Sequence, residues 1–153
     1  MNKISSFKIN HDILKPGVYI SRIARNVVTY DIRTRIPNNG NYMSNAVMHT
    51  IEHIFATYIR NSSYADQVVY FGPMGCRTGF YLLLFDTMSN EEVLSLIRQT
   101  FSFIADYTGE IPGCRKEECG NYMEHDLQGA LAEAQHMCRI LSEYSENQMT
   151  YPQ

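Results

Sequence analysis

A chain of 153 residues with 13 basic and 16 acidic side chains, net charge −3, is long enough for one domain that buries roughly two-thirds of its unfolded surface. Hydrophobic residues at 44% and charged residues at 19% are globular values, which exclude a fibrous repeat or a disordered tail. No run of like charges supplies the basic stripe that nucleic acid needs, and the longest apolar run, about Phe80 to Phe85, is far too short to span a membrane.

The opening residues, Met1 to Lys8, carry charge where a secretion signal needs an apolar core. A cytoplasmic protein without nucleic-acid or membrane partners is expected. Four cysteines are too few for a disulfide scaffold, so all four read as reduced thiols, each open to metal ligation or catalysis. Neither repeats nor a linker divide the chain, and residues 1–153 form a single expected catalytic domain.

Gly17 to Ile36 is rich in Val, Ile, Tyr and Thr and predicts a strand pair turning near Arg25-Asn26, with Arg33 in the second strand. From Ser44, with Ser44 or Asn45 as the candidate cap, Val47, Ile51, Ile54, Phe55 and Ile59 recur at helical spacing as far as Asn61. Val68 to Phe71 and Gly79 to Phe85 read as strands. The turn between them, Gly72-Pro73-Met74-Gly75-Cys76, uses two glycines for backbone angles closed to other residues. Ser89 and Glu92 form a capping box that opens a helix ending near Tyr107 to Gly109, and His125 to Tyr144 has the composition of a last helix. The order ββαββαα predicts an α+β fold.

His49 and His53, four residues apart, share one helix face and can grip one metal ion, with Glu52 beside them. This spelling is also the inverted zincin signature of a metallopeptidase, whose third ligand would be a glutamate far downstream, Glu124 or Glu133, 71 or 80 residues after His53. A non-catalytic metal-binding regulator is a third reading.

Further segments resemble the S-ribosylhomocysteine lyase (LuxS) family. Pro73 to Tyr81 looks like that family's signature around its catalytic cysteine, and Cys119-Gly120 followed by His125-Asp126-Leu127 and Ala130 is similar to its segment supplying a cysteine ligand. With the His-Thr-Ile-Glu-His helix, Ser6, Phe7, His11 and Asp31-Ile32-Arg33, the likeness runs from residue 6 to about residue 130. It implies an antiparallel sheet with helices mainly on one face, and one divalent metal per subunit on His49, His53 and Cys119. That metal would be ferrous iron, replaceable by zinc or cobalt. The implied homodimer has active sites at its interface.

The implied reaction converts S-ribosylhomocysteine to homocysteine and 4,5-dihydroxy-2,3-pentanedione, the precursor of autoinducer-2, by carbonyl migration and β-elimination. Cys76 and Glu52 would share the proton transfers, while Ser6, His11 and Arg33 orient substrate and thiol. The metal and Arg77 beside Cys76 are the candidate sources of positive charge for that thiol. Cys114 and Cys138 read as inert thiols and His136 as a helix-surface residue. One departure stands out: Tyr70-Phe71-Gly72 occupies a place where many members carry Asp-Ile-Ser, so a carboxylate expected near the homocysteine end of the substrate is absent.

Overall fold

The computed structural model describes residues 2–153. Strand β1 (Gly17–Ala24) and strand β2 (Val27–Arg33) form the expected hairpin, closed by Arg25 in the left-handed region at φ 56°. Helix α1 (Asn45–Arg60) begins where the Ser44 hydroxyl accepts a hydrogen bond from Val47 N. Strands β3 (Val68–Pro73) and β4 (Gly79–Phe85) follow, then helix α2 (Asn90–Ala105), opened by the reciprocal Ser89–Glu92 capping box. The last helix, α3 (Leu127–Leu141), starts later than its composition predicts, because the Asp126 carboxylate accepts from Gly129 N and caps it, leaving His125 outside.

The sheet is antiparallel throughout, in the order β1-β2-β4-β3. Alternation along the strands sends Val28, Tyr30 and Ile32 of β2 and Phe80, Leu82 and Leu84 of β4 into the helix layer. There they join Ile51, Ile54, Phe55 and Ile59 of α1 and Leu94, Ile97, Phe101 and Ile104 of α2. Phe55 lies stacked on Phe71 at 3.9 Å between ring centroids and edge-on to Phe101 at 5.4 Å. Truncating Phe55 to Ala would cost about 3–5 kcal/mol.

The opposite face of the sheet carries Tyr19, Asp31, Arg33 and Tyr81, and register sets Asp31 directly across from Tyr19 on one side and Tyr81 on the other. Arg33 is opposite Gly79, where a Cβ would come within 2.5 Å of the Ile32 carbonyl oxygen, so close strand approach requires glycine there. The β3–β4 turn differs from expectation. Its left-handed residue is Arg77, at φ 60°, rather than Gly72 or Gly75, and Gly72 instead leaves room for the Tyr70 ring folded over it. No described helix is long and apolar enough to cross a membrane.

Candidate functional site

Helix α1 presents His49 and His53 one turn apart, and their rings meet edge to face with centroids 4.5 Å apart. The segment between α2 and α3 has almost no regular structure, yet it is tied to these two rings. Nδ1 of His53 lies 2.7 Å from the Pro112 carbonyl oxygen and Nδ1 of His49 lies 2.8 Å from that of Glu124. A carbonyl oxygen only accepts, so each Nδ1 carries the proton and each Nε2 keeps its lone pair.

Those two lone pairs converge on Cys119. Its sulfur lies 3.3 Å from His49 Nε2 and 4.0 Å from His53 Nε2, and accepts from Asn121 N at 3.4 Å. A metal at ordinary bond lengths, tetrahedrally held, would put sulfur and nitrogen ligand atoms about 3.6 Å apart. The observed pair of distances straddles that value, so the donor set fits a divalent ion.

Sequence reasoning left His125 as part of a motif only. In the structure its ring stacks on His49 at 4.1 Å, and one ligand atom from each of His49, His53, Cys119 and His125 falls in a cluster no wider than 4.8 Å. His125 Nε2 is buried with no hydrogen-bond partner among the described residues. Burial and the neighbouring His49 and His53 hold the His125 imidazole below the ordinary histidine pKa. A bare, buried imidazole nitrogen aimed at two others and a thiol is a donor suited to a cation. The signal in the sequence is Asp126: an aspartate cap on α3 turns the preceding residue back toward the loop.

The peptidase reading lacks its third ligand. The Glu124 carboxylate is hydrogen-bonded by Asn121, and Glu133 is buried in an ion pair with Arg35, with 3.1 Å between Arg35 Nε and Glu133 Oε1.

A second cluster forms around Cys76, whose thiol is exposed beyond β3. Buried Arg33 donates from Nε to Asp31 Oδ1 at 3.1 Å and from Nη2 to Asp31 Oδ2 at 2.6 Å. Its remaining nitrogen, Nη1, donates to Thr78 Oγ1 at 2.6 Å and lies 3.9 Å from Cys76 Sγ, while Thr78 Oγ1 is 3.0 Å from the same sulfur. Burial works against the Arg33 charge, but Asp31 outweighs it and raises the guanidinium pKa. The positive neighbour of Cys76 is thus Arg33, 43 residues away in sequence; the Arg77 guanidinium instead lies over the Tyr42 ring at 5.7 Å.

The other expected residues stand apart. Glu52 is half-buried on α1, and its carboxylate has no hydrogen bond or ion pair among the described residues. Ser6 lies in a single 3-10 turn, Ser5–Phe7, against β1, and His11 Nδ1 bonds the Ile9 carbonyl at 3.0 Å. Neither has a described hydrogen bond to the metal-type cluster or to Cys76. Cys138 is half-buried, and burial raises its thiol pKa, as suits an inert thiol.

Comparison with known proteins shows the family to which the chain belongs. The family described as S-ribosylhomocysteinase (LuxS) matches residues 4–148. The S-ribosylhomocysteine lyase of Clostridium acetobutylicum is 44% identical over 158 aligned positions, covering 100% of both chains. That of Borreliella afzelii is 46% identical over 99% of this chain and 100% of its own, and that of Finegoldia magna 43% identical over 100% of both. The chain belongs to the LuxS family of S-ribosylhomocysteinases.

Proposed function

We propose that this protein is an S-ribosylhomocysteine lyase that holds one divalent metal per subunit on His49, His53 and Cys119 and moves protons with Cys76 and Glu52. The observation that carries the reading is the convergence of two Nε2 lone pairs on the Cys119 sulfur, both rings fixed by carbonyl oxygens, in a chain of this family. When bound, the metal supplies Lewis acidity that draws electrons from the sugar carbonyl. Ferrous iron is the ion we assign, with zinc or cobalt as substitutes, because mixed imidazole and thiolate donors suit all three.

The chemistry is redox-neutral. The open-chain sugar begins with its carbonyl on the first carbon and its sulfur on the fifth. Elimination needs the carbonyl on the third, so that the proton on the fourth carbon is acidic. Each carbonyl shift removes a proton from the neighbouring hydroxyl-bearing carbon and returns one to the former carbonyl carbon. In the last step the fourth carbon loses a proton and the carbon–sulfur bond breaks, its electron pair leaving with sulfur. Homocysteine takes up a proton, and the remaining enol relaxes to 4,5-dihydroxy-2,3-pentanedione, the precursor of autoinducer-2.

Two groups that exchange protons at adjacent carbons meet this need. Cys76 is a good carrier because Arg33 Nη1 lies beside its sulfur, and Thr78, which accepts from Arg33, has its own proton free to donate to the thiolate. Glu52, with no internal partner for its carboxylate, is free to act on substrate beside the ligand pair. Arg33, Ser6 and His11 orient substrate and thiol.

A homodimer with shared sites fits the amino-terminal arm, where Ile4 and Phe7 are 57% and 68% exposed and Ser6 has no described partner in its own chain's clusters. Arms of this kind are ordered when something covers them. Four free cysteines agree with a cytoplasmic location. The deciding experiment is incubation with S-ribosylhomocysteine while free thiol is titrated. Homocysteine release supports the lyase, and its absence from metal-loaded protein sinks it.

A further inference from the structure

We propose that Tyr151, in the segment after α3, is a positioning residue for Cys76: its hydroxyl grips the Asp31 carboxylate, which in turn fixes the Arg33 guanidinium beside the thiol. The role of Cys76 as the reacting thiol rests on the reading above.

Asp31 and Arg33 are two residues apart on β2 and therefore share a face, where they are 0% and 2% exposed. Arg33 spends two nitrogens on the two carboxylate oxygens, leaving only Nη1 for Thr78 and Cys76. Tyr151 donates its hydroxyl to Asp31 Oδ2 at 2.8 Å. The result is one continuous chain of hydrogen bonds, from Tyr151 to Asp31, from Arg33 to the same carboxylate and on to Thr78, and from Thr78 to the Cys76 sulfur.

Tyr151 is held where it is by independent contacts. Ile20 N in β1 donates to the Met149 carbonyl at 2.8 Å, the Met149 side chain is fully buried in the core, and the Tyr151 ring stacks on Tyr19 at 5.1 Å and 16°. The groups facing the Asp31 carboxylate are then Tyr19 from β1, Tyr81 from β4, Arg33 from its own strand and Tyr151. Among the described residues only Arg33 and Tyr151 bond its oxygens. Burial and the adjacent Asp31 charge raise the Tyr151 phenol well above its ordinary pKa, so it stays a donor at any working pH.

Its electrostatic effect has a definite sign. A donor on Asp31 neutralises part of the carboxylate and leaves more of the Arg33 charge to act on Cys76. Tyr151→Phe removes that donor and keeps the ring stacked on Tyr19.

The test measures alkylation of Cys76 by iodoacetamide at neutral pH in metal-loaded protein, with the modified peptide identified by mass spectrometry. The thiolate is the reacting form, and we expect Tyr151→Phe to slow the reaction about three- to tenfold, the part of a charge-assisted hydrogen bond felt through two intervening groups. Deletion of residues 151–153 should slow it to the same extent, and kcat should fall in both with KM little changed. Wild-type alkylation in Tyr151→Phe overturns the proposal. So does slowing confined to the deletion, which would assign the effect to ring packing. Turnover surviving Cys76→Ala would instead defeat the reading of the reaction, while the alkylation comparison would still judge Tyr151.

Discussion

The Thr50 hydroxyl oxygen lies 3.1 Å from His125 Nδ1, and this contact decides which nitrogen of His125 faces the histidine–cysteine cluster. Thr50 gives its one proton to the Ala46 carbonyl at 2.9 Å and accepts from Asp126 N at 2.9 Å, so its remaining lone pair must accept from Nδ1–H of His125. Nε2 is thereby left bare. Thr50→Val, which keeps the shape and removes the hydroxyl, strands two buried donors. We expect a loss of about 1–3 kcal/mol in chemical denaturation and a roughly tenfold weaker hold on metal in chelator competition.

Substitution of His49, His53 or Cys119 by Ala should weaken metal binding by at least about a hundredfold, because few protein donors surround an open site. Metal content after dialysis checks this. Near-normal content in Cys119→Ala would refute the ligand assignment.

Stripping the metal from the wild type should loosen the segment between α2 and α3 up to Glu124, which two histidine–carbonyl bonds tie to α1, while His125 and Asp126 stay held by Thr50. At free metal about a thousand times Kd, the ion contributes about 4 kcal/mol, so a chelator should lower Tm by roughly 10 °C. Hydrogen exchange should rise first in residues 110–124.

Cys76→Ala and Glu52→Gln should keep metal and fold yet lose turnover by at least ~10² each, the usual contribution of a proton-transfer group. Single-turnover assays with metal analysis of the same samples test it. Full activity in either variant reassigns the acid or the base.

Gly79→Ala and Gly72→Ala should part company. At residue 79 the new methyl meets backbone, the Ile32 carbonyl oxygen at 2.5 Å, and a cost of about 1–3 kcal/mol or more is expected. At residue 72 it meets the far end of the Tyr70 side chain, which is 49% exposed and free to swing out. Stability there should change by less than about 1 kcal/mol, read from denaturation midpoints.

Local signals carried most of the fold. The Ser44 cap, the Ser89–Glu92 box and the alternating strands each act within a few residues of their own position, and each element stands where those residues put it. Periodicity also showed His49 and His53 on one helix face, whereas the approach of Cys119 came only through family likeness, since it spans 70 residues and an irregular loop. His125 was hidden because good helix formers run up to it, and a capping side chain, not propensity, sets the start of α3. The Arg33 grip on Cys76 and the Tyr151 bond to Asp31 span 43 and 120 residues, distances over which no local pattern speaks.

The Met149 anchor has a bearing on synthesis. The first strand formed on the ribosome waits for a backbone partner at Ile20 that emerges after every other element has been made. Until then the core also lacks the Met149 side chain and the Tyr144 ring, whose hydroxyl bonds Val18 O at 2.8 Å. Nascent chains of this protein should therefore hold helices early but acquire protease resistance only once residue 149 has left the ribosome.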